Sequence, residues 1–116
     1  MINNEIKEKT IIKKKEKVKL KKPKTYRVLL HNNPRTAFEA VSDVLENVFN
    51  KDHATAQNIM WECHHKGISQ CFEGSKSLCE AKLEEANQYC KERASMEYPY
   101  NSMGYDILQF SVEEID

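Results

Sequence analysis

The chain has 116 residues, enough for one domain with a modest core. Lys/Arg and Asp/Glu balance at 18 each, but the balance hides a split. Residues 1–24 hold ten Lys and three Glu, net +7, whereas residues 25–116 hold eight Lys/Arg and fifteen Asp/Glu, net −7. No apolar run approaches the roughly 18 residues at which a membrane span begins, so no membrane partner is expected.

Residues 1–24 carry only scattered aliphatics and cannot bury enough surface to offset chain ordering. They read as a disordered basic N-terminal extension, with the remnant of a removed targeting segment as the alternative. Nucleic acid is not an expected partner. The lysines are not interleaved with aromatics that could stack on bases, and the acidic body would repel phosphate.

The core, residues 25–116, begins with a strand. Tyr26, Val28 and Leu30 alternate with Arg27 and His31, and the residue types suit a pleated surface. Asn32-Asn33-Pro34 ends it, because Asn tolerates turn geometry and Pro34 has no N–H for a ladder. Thr36 with Glu39 three residues later has the form of a capping box, which predicts that Thr36 opens a helix. That helix spans about Ala37 to Phe49, with Phe38, Val41, Val44, Leu45, Val48 and Phe49 on one stripe. Asn50-Lys51-Asp52 breaks it and Asp52 can cap a second helix, which runs to about Lys66 and stops at Gly67. Ala56, Ile59, Met60 and Cys63 form its apolar face.

Ile68 to Phe72 is a short strand, and Gly74-Ser75 is a turn and cap. A third helix runs from about Lys76 to Arg93, with an apolar stripe of Leu78, Cys79, Leu83, Ala86, Tyr89 and Cys90. Ser95 to Tyr105, with Pro99 and Gly104, reads as a loop. Leu108, Phe110 and Val112 alternate with Gln109 and Ser111 in a closing strand. The predicted fold is α+β: a small three-stranded antiparallel sheet packed against three helices, in the order β-α-α-β-α-β.

Cys63, His64, His65, Cys71 and Cys79 raise a zinc site, but no Cys-x-x-Cys knuckle is present. Cys79 and Cys90 lie on the apolar side of a helix, where a free thiol behaves as a small hydrophobe. Disulfides are not needed by a core of this composition, and no cofactor is expected. A Cys63/His64 hydrolase fails on geometry, because helix neighbours diverge by about 100°. The chain therefore reads as a non-enzyme.

A strand ending in Asn32, then Thr36, Glu39 and an apolar helix, is one part of a larger pattern. The others are Met60-Trp61-Glu62-Cys63-His64-His65-Lys66-Gly67 and the positions of Cys71, Lys82 and Tyr89. In order and spacing, from about residue 25 to 113, they resemble the ClpS family of protease adaptors. The resemblance implies an adaptor that binds the free α-amine and bulky apolar first side chain of N-degron proteins, those starting with Leu, Phe, Tyr or Trp. It would deliver them as a monomer to the N-terminal domain of a Clp AAA+ ATPase. Asn32 and His64 match the amine-binding positions, where an amide oxygen and a neutral imidazole nitrogen are two acceptors for one ammonium. Thr36, Phe38, Val41, Met60, Cys63 and Leu108 match the pocket and its rim.

Asn33 and Pro34 stand where the family has acidic residues, which implies weaker amine binding. Phe38 replaces a gating Met with a stiffer ring, and Cys63 replaces a larger aliphatic. Arg35, Ser77 and Lys82 match ATPase-contact positions, with Ser77 in place of a usual Glu. In the family the N-terminal tail enters the ATPase pore. Lys outnumbers Arg fifteen to three, which hints at an AT-rich coding sequence and makes a plastid-type, apicoplast-like organelle stroma an alternative to a bacterial cytoplasm. The competing reading is a scaffold domain of similar α+β frame with no N-terminal-residue specificity.

Overall fold

The strand β1 (Thr25–His31) occupies the middle of an antiparallel sheet ordered β2-β1-β3, where β2 is Ile68–Gly74 and β3 is Gln109–Ile115. The computed structural model describes residues 23–115; the expected basic extension, apart from its last two residues, lies outside them. Val28 and Leu30 belong to the main core, whereas Leu29, also buried, lies outside that cluster and lines a surface groove with Arg27, Gln70 and Glu113. Against β2 the register slips between Val28 and Leu29, which pair with Phe72 and Gln70. Cys71 is the extra residue of this bulge, and its buried thiol faces the Val28 carbonyl at 3.5 Å.

Three helices complete the α+β fold: α1 (Phe38–Asn47), α2 (His53–Lys66) and α3 (Lys76–Ala94). Two of their starts are local and follow the sequence. Asp52 accepts the Thr55 N–H at 2.7 Å to cap α2, and Ser75 accepts the Leu78 N–H at 3.2 Å to cap α3. Gly67 ends α2 at φ 87°, a left-handed position that a Cβ would strain, and returns its N–H to the Cys63 carbonyl.

The start of α1 differs from expectation. Its N-cap is Ala37, without a side-chain cap, and the buried Thr36 donates its hydroxyl to the Gly104 carbonyl at 2.8 Å. The capping box does not form because a distant backbone acceptor takes the hydroxyl. Leu78 is a second correction, being 56% exposed. It sits about 100° round the helix from Cys79, while Cys79, Ala86 and Cys90 line the buried stripe.

The segment read as a loop, Ser95 to Tyr105, contains a cis Tyr98–Pro99 bond, a 3-10 turn at Tyr100–Ser102 and the start of another at Tyr105–Ile107. Tyr105 is only 1% exposed, so the end of this segment packs against the body of the domain, while Met96 and Tyr98 stay exposed. All four cysteines are free and buried, and no group of three or more metal-ligating side chains forms among the described residues.

Candidate functional site

The loop from Asn32 to Ala37 leaves the end of β1 and is held by hydrogen bonds at Asn32, Asn33, Thr36 and Ala37. The Asn32 N–H donates to the Gly67 carbonyl at 2.9 Å, which joins it to the C-terminal end of α2. The Asn33 oxygen accepts the Arg35 N–H at 2.9 Å, a side-chain-closed turn, and the Asn33 amide donates to the Ile107 carbonyl at 3.1 Å. The Ala37 N–H, an orphan donor at the start of α1, finds the Met103 carbonyl at 2.8 Å.

Between this loop, α1 and α2 lies a small hollow of about 270 Å³. It is lined by Leu30, His31, Asn32, Asn33, Thr36, Phe38, Val41, Met60, Cys63 and Leu108. Val41, Met60, Cys63 and Leu108 are buried and make its apolar walls, and the Cys63 thiol faces the Leu30 carbonyl at 3.4 Å. Burial pushes that thiol's pKa up, so Cys63 presents a neutral, apolar surface. The clear interior has room for about one water molecule. A second, more open groove, holding Glu39, Glu46, His53, Gln57 and Trp61, runs along the α1–α2 seam and shares Phe38 and Met60. Its openness and charged walls make it the poorer candidate for gripping an apolar side chain.

Eight of the expected site residues meet in the hollow: Asn32, Asn33, Thr36, Phe38, Val41, Met60, Cys63 and Leu108. Pro34 and His64 do not line it. Pro34 is exposed within the turn that Asn33 closes. On α2, Met60 and Cys63 face inward, and His64 lies a further 100° round, on the outside. The His64 ring instead stands edge-on to Phe38, centroids 5.4 Å apart, and to Trp61 at 5.8 Å. Phe38 is 41% exposed and belongs to both the hollow and this surface cluster. The carboxamide of Asn32 and the ring nitrogens of His64 make no hydrogen bond among the described residues, so both retain their acceptors.

Leu30 and His31 are lining residues that the sequence reading treated as scaffold. Their only local signal is position, immediately before Asn32 at the strand's end. His31 is itself held by a 2.6 Å hydrogen bond to the Ser111 hydroxyl on β3.

Of the expected ATPase-contact residues, Arg35 is exposed in the loop, and Ser77 and Lys82 are on α3. The Lys82 ammonium is partly committed within the domain. It donates to the Val48 carbonyl at the C-terminal end of α1 at 2.8 Å, and lies 3.2 Å from Glu85.

The sequence model of the family described as "ATP-dependent Clp protease adaptor protein ClpS" matches residues 21–100. The chain belongs to the ClpS family. Its members are adaptors of the Clp protease. A ClpS adapter of Vibrio atlanticus is 35% identical over 78 residues, covering 67% of this chain and 74% of that protein. One from Hydrogenovibrio crunogenus is 39% identical over 74 residues, covering 64% and 71%. The solved structure of Agrobacterium tumefaciens ClpS2 bound to L-phenylalaninamide aligns with a TM-score of 0.67 at 29% identity. That alignment covers 81% of this chain and all of the Agrobacterium chain. The named relatives are bacterial, and the α+β fold is the ClpS fold.

Proposed function

We propose that this ClpS family member holds the first residue of an N-degron protein in the hollow between β1, α1 and α2 and delivers that protein to a Clp AAA+ ATPase. The observation that carries the reading is the apolar hollow with the unpartnered Asn32 carboxamide in its lining. A primary ammonium brings three donors, and Asn32 supplies one acceptor for it. His64 supplies another when Phe38, the ring between the hollow and the aromatic cluster, turns outward. Space for one water does not hold a Leu or Phe side chain, so Phe38 must move for the ligand to enter. Its exposed ring can do so without opening the core. Burying a Leu or Phe side chain then contributes about 1.5–3 kcal/mol, and each hydrogen bond to the ammonium about 1.5–3 kcal/mol.

Asn33 and Pro34 leave the loop without a carboxylate, and the Asn33 oxygen already accepts from Arg35. The amine is therefore held more weakly here than by an acidic loop. The adaptor works without catalysis and as a monomer, with residues 25–116 as its core. Arg35 and the exposed side of α3 around Ser77 and Lys82 face the ATPase. The bacterial relatives fit a bacterial-type Clp system, in a bacterial cytoplasm or a plastid-type organelle stroma. Fluorescence anisotropy with Leu- or Phe-initiated peptides, identical except for a free or acetylated N-terminus, tests the reading. Acetylation abolishes binding if the hollow reads the amine; equal binding of the two forms refutes it and favours a scaffold domain.

A further inference from the structure

The segment from Met96 to Leu108 does more than link α3 to β3. Its backbone supplies three acceptors to the loop that frames the hollow: Ile107 to the Asn33 amide, Gly104 to the Thr36 hydroxyl and Met103 to the Ala37 N–H. At Gly104, with φ 84°, an added Cβ would lie 2.5 Å from the Arg35 carbonyl oxygen and 2.8 Å from the Thr36 Cα. The two stretches of backbone touch there, and only glycine fits.

The segment is also anchored on the helices. The Tyr105 hydroxyl donates to Asp43 of α1 at 2.6 Å, and the Tyr100 ring lies under the Arg93 guanidinium at 4.9 Å. The family match ends at residue 100, so Met103, Gly104, Tyr105 and Ile107 all lie beyond it.

We propose that residues 96–108 form a strap that sets the shape of the first-residue pocket, with Gly104 and Tyr105 as positioning residues for selectivity. The proposal rests on the peptide-binding reading above. The strap holds the amine-side loop at three points, and its last residue, Leu108, is a wall of the hollow. Loosening it lets the loop and that wall retreat together, so the pocket widens and discriminates less against the largest first residues.

Two variants test this, Gly104→Ala and the milder Tyr105→Phe, which keeps the ring and removes one hydroxyl. Hydrogen exchange followed by mass spectrometry is expected to show the Ala37 amide exchanging at least about tenfold faster in each folded variant, with the β1–β2 ladder unchanged. Free-amine peptides starting with Leu and Trp are expected to shift in relative affinity by about threefold or more toward Trp. Unchanged exchange at Ala37 in Tyr105→Phe overturns the brace. Faster exchange with an unchanged Leu-to-Trp ratio overturns the role in selectivity. If wild-type protein binds acetylated and free peptides alike, the peptide-binding reading fails and selectivity with it, while the exchange comparison still decides whether the strap holds the loop.

Discussion

Asp43 is the residue on which α1, α3 and the strap converge, and its replacement by alanine is the sharpest test of how the domain is held together. One oxygen accepts from the Tyr89 hydroxyl at 2.8 Å and the Asn47 amide at 2.7 Å. The other accepts from the Tyr105 hydroxyl at 2.6 Å and faces the Arg93 guanidinium at 3.3 Å. Asp43→Ala leaves the hydroxyl of the fully buried Tyr105 without an acceptor, at a cost of about 1–3 kcal/mol. Breaking a wholly buried ion pair costs about 3–5 kcal/mol. Here the side chains of Asp43 and Arg93 keep 19% and 26% of their exposure, so water takes up part of the loss.

The expected destabilisation is therefore about 2–4 kcal/mol, a fall in Tm on the order of 10–30 °C for a domain of this size. Thermal unfolding followed by circular dichroism measures it. The double variant with Tyr105→Phe is expected to show coupling of about 1 kcal/mol or more, since the two groups are in contact. A single-variant loss below about 1 kcal/mol would mean that the network is an exposed surface contact, and the argument for it would fail.

Phe38→Met replaces a stiff ring with a flexible side chain at the mouth of the hollow. Stopped-flow association of a Leu-initiated peptide is expected to speed up severalfold, with stability nearly unchanged; an unchanged rate would show that Phe38 does not gate entry. Lys82→Met removes the ammonium from the Val48 carbonyl. A loss of about 1 kcal/mol in urea unfolding is expected, and no loss would assign Lys82 to the surface alone. Burial pushes the thiols of Cys71 and Cys90 up from 9.0 to about 12. In the unfolded chain they ionise near pH 9, so their contribution is whole below pH 9 and is lost as pH rises toward 12. Unfolding at pH 10 is expected to be easier than at pH 8 by about 1 kcal/mol per thiol. If substituting Ala at both positions leaves that alkaline slope intact, other groups cause it.

The order of elements, both side-chain caps and the glycine stop of α2 can be read from a few neighbouring residues. Asp52 needs only Thr55, Ser75 needs only Leu78, and Gly67 needs only the turn before it. The pocket residues Val41, Met60 and Cys63 are legible for a similar reason, since helical spacing alone turns them to one side. The misreadings have another cause. Thr36 looks like a cap until Gly104, 68 residues away, takes its hydroxyl. Tyr105 looks like loop until Asp43, 62 residues back, draws it into the core.

His64 shows the same limit from the other direction. A matching position named it, but its 100° offset from Cys63, together with the place Phe38 occupies, puts its ring outside the hollow. Local spacing specifies how each helix and strand is made, because its interactions close within a turn. Which polar groups meet across the chain depends on how the elements pack, and no short-range pattern carries that.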